Sequence, residues 1–267
     1  MTDCRSGSRP LLAEALDATA TERNATNEEL AAWASFARRI SETPDPGAAA
    51  TQPAGGGPAT RVLPGTPSSS TPTQGIRTAF EETVRRAPTV EEYESEPAAQ
   101  MARDLGRELA AAVYGSADPP GNLRTLLQRA VHSVCENRRR VIRRVDEEER
   151  SLRSYRSELA AIRRELGEYE AVYPDVSAES LFVYHEGLGE LREACRDLAV
   201  DRQESLHESM GPEYDRREYV AYLYRDCSRR FPVLAAVAEM VTEIRRFRTS
   251  IERDLAGIDG TRDSRTS

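Results

Sequence analysis

Apolar residues recur along this chain in alternating steps of three and four, the period of helices lying one face down on a core, so helices are predicted throughout. The clearest run lies between Asn122 and Tyr173, where there is no proline and Gly167 is the only glycine. Heptad core positions 127, 131, 134, 138, 141, 145, 148, 152, 155, 159, 162, 166, 169 and 173 read Leu, Val, Val, Arg, Val, Val, Glu, Leu, Tyr, Leu, Ile, Leu, Tyr and Tyr. A repeat of 3.5 residues sustained this far predicts a coiled-coil helix, about 75 Å long at 1.5 Å per residue. Arg138 and Glu148 are the two charged exceptions, and they predict a loose seam at those levels.

The segment Tyr173-Pro174-Asp175 ends this run, and Ser177 is placed to cap the next helix. That helix keeps the spacing through Leu181, Tyr184, Leu188, Leu191, Cys195 and Leu198, up to a break at Gly211-Pro212. A last helix over 213–257 carries Val220, Leu223, Cys227, Leu234, Val237, Val241, Ile244, Ile251 and Leu255, with Pro232 set to kink or split it. Short turns make successive helices antiparallel. The expected fold is therefore all-α, a long antiparallel three-helix coiled-coil bundle with two short helices packed near one end. The short helices come first in the chain. One carries Ile76, Phe80 and Val84 and is stopped by Pro88; the other opens at Pro97, carries Met101, Leu105 and Leu109, and ends near Gly115. Thr89 and Glu92 offer a capping box between them.

Residues 44–74 are almost wholly Pro, Gly, Ala, Ser and Thr, too poor in apolar surface to offset their ordering entropy, and a disordered linker is predicted there. It separates residues 1–43 from a helical domain over 75–260, with a short disordered tail at 261–267. Within 1–43, the spacing from Thr26 to Glu29 predicts a capped helix over 27–42 that bears Leu30, Trp33, Ala37 and Ile40 on one face. That face could anchor the helix in a partner's groove, or it could fold back on the chain's own bundle.

Composition narrows the choice of chemistry. With 39% of residues hydrophobic, 6% aromatic and 31% charged, the chain suits helices that bury one stripe each better than a broad globular core. All of its 37 basic residues are arginine, and its net charge is -8. The absence of lysine removes Schiff-base and P-loop lysine chemistry, and it points to a GC-rich, salt-loving source. No apolar stretch approaches the roughly 18 residues of a membrane span, and the N-terminus lacks a signal peptide's apolar core, so a cytoplasmic setting is expected.

The block GIRTAFEETVRRAPTVEEYESEPAAQMARDLGRELAAAV, the arginine-rich helix after it, and EYVAYLYRDCSRRFPVLAAVAEMVTEIRRF together resemble an uncharacterised family of haloarchaeal helical proteins. The resemblance covers about residues 75–257 and implies a helical fold with no assigned catalytic residues.

Few residue constellations suggest chemistry. The segment RRRVIRR holds Arg138, Arg139, Arg140, Arg143 and Arg144, a candidate patch for phosphate or nucleic-acid backbone. Its plainer reading is a solvated helix face answered by the acidic run 146–149. His132 and Cys135 have metal-ligand spacing but are only two ligands, and the four cysteines form no CxxC pair, so no metal is expected. Cys195 and Cys227 are nearly equidistant from Gly211-Pro212 and should face each other across the bundle core, as small apolar side chains or as a redox pair. No nucleophile elbow or phosphate loop is present. The leading expectation is a non-enzymatic protein without cofactors that acts by protein association, as scaffold or adaptor, with homodimerisation compatible. A nucleic-acid-associated or regulatory role through the arginine patch is the alternative.

Overall fold

A computed structural model describes residues 10–42, 73–87, 96–116, 118–173, 177–207 and 215–263. The expected linker, the Thr89 capping box and the Gly211-Pro212 turn lie outside the described residues, apart from positions 73 and 74 at the linker's end. Every regular element among the described residues is helical: α1 (Leu11–Glu42), α2 (Gln74–Glu82), α3 (Pro97–Leu105), α4 (Arg107–Tyr114), α5 (Leu123–Val172), α6 (Ala178–His207), α7 (Arg216–Leu223) and α8 (Pro232–Asp263). A 3-10 turn, Val84–Arg86, follows α2. The chain divides into two compact units, one comprising Met1–Glu22 with Asp146–Ser267 and the other Arg23–Val145. Helices α1 and α5 contribute residues to both.

In the unit Arg23–Val145, Trp33, Phe36 and Ile40 of α1 are buried with Ile76, Phe80, Met101 and Val113 against Leu123, Leu127 and Val131 of α5. The three rings interlock. Phe36 meets Phe80 nearly edge-on at 5.5 Å, and Trp33 lies 6.0 Å from Phe80. Arg77 of α2 joins these short helices by donating from Nε to the Val113 carbonyl at the C-terminal turn of α4, 2.7 Å away. Its guanidinium also lies 5.3 Å from the centre of the Tyr114 ring.

Two expectations are corrected here, and one open alternative takes its fold-back form. The first helix begins at Leu11 rather than near 27, and Thr26 lies buried inside it instead of capping it. The helix opened by Pro97 is two helices, because Gly106 adopts φ 100°, a conformation that L side chains rarely take. The face with Leu30, Trp33, Ala37 and Ile40 is spent on the chain's own core, where Trp33 and Ile40 are buried and Leu30 and Ala37 pack against them. Those four residues are therefore not free to anchor a partner.

The other unit is built from α6, α7, α8, residues 146–172 of α5 and the start of α1. The Tyr169 ring lies tilted against that of Tyr184, 5.0 Å between centres, and Glu148 binds Arg202, so this part of α5 runs antiparallel to α6. Arg163 pairs with Glu243, and Tyr173 packs on Phe247 and donates to Asp254, which makes α8 parallel to α5. Leu152, Leu159, Ile162, Leu166, Leu188, Leu191, Ile244 and Ile251 fill the space between. The thirteen heptad positions within α5, and Tyr173 just beyond it, are all buried or half-buried.

The predicted 213–257 helix is interrupted. α7 is capped by Asp215, which accepts from the Arg217 amide at 2.8 Å, and it stops at Leu223. A turn then leads to Pro232, the first residue of α8, where a missing N–H costs nothing. Glu14 of α1 holds this turn, accepting from the Ser228 amide at 2.7 Å and from its hydroxyl at 2.6 Å. At the other end α8 runs to Asp263, so residues 261–263 of the expected disordered tail are helical.

Candidate functional site

The densest polar cluster of the described residues lies inside this unit, at a position the heptad pattern marked as anomalous. Glu148 sits on the inward face of α5 and is 2% exposed. Arg202 reaches it from α6 with two parallel bonds, Nη2 to Oε1 at 2.6 Å and Nη1 to Oε2 at 3.2 Å. Tyr224, wholly buried just beyond α7, donates its hydroxyl to Oε1 at 2.7 Å. Arg216 approaches Oε2 at 4.0 Å, and the Arg202 guanidinium lies 5.9 Å from the Tyr155 ring. The expected loose seam at Glu148 is in fact closed, with each charge answered.

This geometry leaves little for chemistry. Burial alone would lower the Arg202 pKa, but the Glu148 charge and its hydrogen bonds raise it instead. Burial pushes the Tyr224 phenol upward, and the neighbouring carboxylate adds to the effect, so the phenol stays a donor. Both carboxylate oxygens are engaged, and the site is shut from solvent. Such a bidentate pair fixes which helices meet and in what register.

Arg139, Arg140 and Arg143 of the arginine patch lie on an exposed face of α5, with Arg138 and Arg144 half-buried. Arg138 pairs with Glu29 of α1 at 2.5 Å, Arg139 with Glu136 at 2.5 Å, and Arg140 donates to Asn137. Glu148 and Glu149, expected to answer this patch, turn to Arg202 and Arg153.

Cys195 is fully buried in the core of its unit, and interpolation between the two α5–α6 contacts sets it near the level of Tyr155. Burial pushes its thiol up to about 11. Cys227 sits in the turn between α7 and α8, half-buried against the same core, rather than on a helix facing Cys195. Both thiols are free. His132 is exposed while Cys135 is buried, so their spacing does not bring them together toward one ligand. No group of three or more His, Cys, Asp or Glu among the described residues could hold a metal ion.

Sequence reasoning missed the outer face of α6. Phe182 and Val183 are 65% and 62% exposed. A shallow groove is lined by Glu186, Glu190, Glu193 and Asp197 of α6 together with His185, Arg192 and Arg248. Arg248 Nε donates to His185 Nε2 at 2.8 Å. The signal was present as two adjacent large apolar residues off the core register. No helix among the described residues is long and apolar enough to cross a membrane.

The profile of a family described as Domain of unknown function (DUF7260) matches residues 11–248, and the chain belongs to that family. The match begins at the start of α1, well before the 75–257 covered by the resemblance, so the first helix is part of the family's domain. No curated protein and no solved structure matches the chain.

Proposed function

Because membership in this family carries no assigned activity, we propose from the chain's own residues that it is a non-catalytic helical module acting by protein association, as a scaffold or adaptor. One observation carries this reading: the strongest polar cluster, Glu148 with Arg202 and Tyr224, is consumed in holding helices together, while Phe182 and Val183 are left on the surface. On this account Phe182 and Val183 are where a partner makes apolar contact. In this reading α5, α6 and α8 supercoil as a three-helix bundle that presents the outer side of α6. The acidic, lysine-free composition supports a haloarchaeal source and a cytoplasmic setting. Engagement of Arg138, Arg139 and Arg140 by neighbours weighs against the nucleic-acid alternative.

The test is capture of partners by the full chain from cells of its source, with and without nuclease. A stoichiometric protein that survives nuclease supports association. A captured fraction that disappears with nuclease, and with glutamine at Arg139, Arg140, Arg143 and Arg144, would favour the alternative.

A further inference from the structure

The outer side of α6 has a pattern that its role in the core does not require. Phe182 and Val200 are eighteen residues apart, five full turns, so they share one line along the helix, about 27 Å from end to end. Between and beyond them, within a sector about 100° wide, stand Val183, Glu186, Glu190, Glu193, Asp197, Asp201 and Glu204. All of these positions are exposed; the basic residues of this helix side, Arg196 and Arg192, flank the Phe182–Val200 line on its other side. Glu193 has only long contacts to the flanking Arg192 and Arg196, at 3.4 and 3.3 Å. Glu186, Glu190, Asp197, Asp201 and Glu204 have no ion-pair partner among the described residues. A stripe meant only for solvent would mix signs at i, i+4 spacing and would not place Phe182 and Val200, 65% and 42% exposed, at its two ends.

We propose that this face is a docking site for a basic amphipathic helix of a partner protein, with two apolar anchors some five turns apart and arginine or lysine between them. The proposal rests on the association reading and names the chemistry of the partner. Charge sign selects the occupant. Nucleic acid and anionic lipid are repelled by these five carboxylates, which no ion pair among the described residues neutralises, and so is the α6 face of a second copy. A basic helix neutralises them, while its apolar ends cover Phe182 with Val183 at one end and Val200 at the other. The charges set encounter rate and orientation, and the apolar ends set the lifetime of the complex.

The probe is a synthetic helix bearing two leucines eighteen positions apart, with arginines facing the same side between them. Its control has the same composition with the leucines moved to the opposite face. Fluorescence anisotropy against the full chain should show the probe binding more tightly than the control and weakening as salt rises. Phe182→Ser with Val200→Ser should weaken it by tenfold or more, as for anchor residues, on the order of a hot-spot loss. Glu186→Gln, Glu190→Gln and Asp197→Asn together should weaken it on the order of tenfold, at about twofold per exposed pair. All five side chains are exposed, and circular dichroism should show the helical bundle intact in both variants. Equal binding of probe and control, or no loss in either variant, overturns the proposal. So does a dimer in sedimentation equilibrium that Phe182→Ser converts to monomer, because the occupant is then a second copy. If a captured cellular partner persists in both variants, association stands and the α6 site falls. If nothing is captured while the probe binds, the association reading falls and the site stands.

Discussion

In the unit Arg23–Val145 the centre is three rings, Trp33, Phe36 and Phe80, whose partners are aliphatic. In the other unit the helices meet at Glu148 and Arg202, two charges taken wholly out of water beside a buried Tyr224. Rings gain from burial almost regardless of the neighbour and tolerate small adjustments. A bidentate ion pair is favourable in one geometry only, and breaking it strands a charge. The first unit of this comparison is held by area, the second also by register. That suits long helices, whose repeating stripes could otherwise pair equally well one heptad along.

The largest expected effect separates these two kinds of core. Glu148→Ala should cost about 3–5 kcal/mol, because Arg202 is left charged and buried without a partner. Glu148→Met with Arg202→Leu should recover most of that loss, since apolar residues of similar volume often replace such pairs without penalty. Phe80→Ala should cost a similar ~3–5 kcal/mol through the cavity it leaves, but no second truncation restores it. Trp33 is the only tryptophan, so its fluorescence follows the ring core during denaturant unfolding, and exposure of the Cys195 thiol follows the other unit. A double mutant no better than Glu148→Ala would mean that the pair does not act as a unit.

A second effect belongs to the ring-centred unit, and it is a backbone effect. Gly106→Ala should destabilise by about 1–3 kcal/mol, since φ 100° with ψ 150° is a region that glycine alone occupies freely. The space around it is open, so packing cannot be the reason. If thermal unfolding of Gly106→Ala matched the parent, the α3–α4 break would not be imposed by this residue.

Much of the helix content was legible because leucine, valine and isoleucine contrast sharply with charged neighbours, as on α5. The missed start of α1 holds Leu12 and Leu16 four apart, but its next inward positions are Ala15 and Thr19, which carry too little contrast to extend the period. Gly106 was passed over because a single glycine inside a helical pattern is compatible with either outcome. Glu148 was visible as an exception on the seam, but its partners are 54 and 76 positions away, and long-range pairing leaves no local trace. The outer face of α6 was hidden for the opposite reason: the leucines on its inner side account for the helix by themselves.

Smaller effects sharpen the comparison within the ion-paired unit. A Cβ on Gly187 would overlap the Tyr169 hydroxyl and stand 2.9 Å from the ring carbon that bears it, where Tyr184 backs the ring. Gly187→Ala should therefore lose about 1 kcal/mol, the clash outweighing the helix propensity of alanine. Gly167→Ala on α5 meets nothing within 4 Å and should gain about 0.5–1 kcal/mol. Opposite shifts in the denaturation midpoint would show that tight α5–α6 packing, and not helix propensity, fixes Gly187. Equal shifts would remove that distinction.

An effect read through pH runs against a simple division into apolar and polar units. Cys195 belongs to the unit with the buried charges, yet burial is the only influence on its thiol, and it ionises only near pH 11 instead of 9.0. Cys135 belongs to the ring-centred unit; burial raises it too, but Arg139 and Arg138 pull it back. Charge placement is thus local to a helix level, not a property of a whole unit. The sign follows from which state holds the proton. Below pH 9.0 the Cys195 thiol is protonated in folded and unfolded chains alike, and its contribution is complete. As pH rises through 9.0 toward 11 the unfolded chain ionises first, and that contribution is lost. The difference in unfolding free energy between the parent and Cys195→Ala should therefore narrow across this interval, after subtraction removes the tyrosines, which titrate in both. Thiol labelling should show Cys135 reacting at lower pH than Cys195. If the two thiols titrated together, the arginines on α5 would be too well hydrated to act on Cys135, and the contrast between the two units would reduce to Glu148 and Arg202 alone.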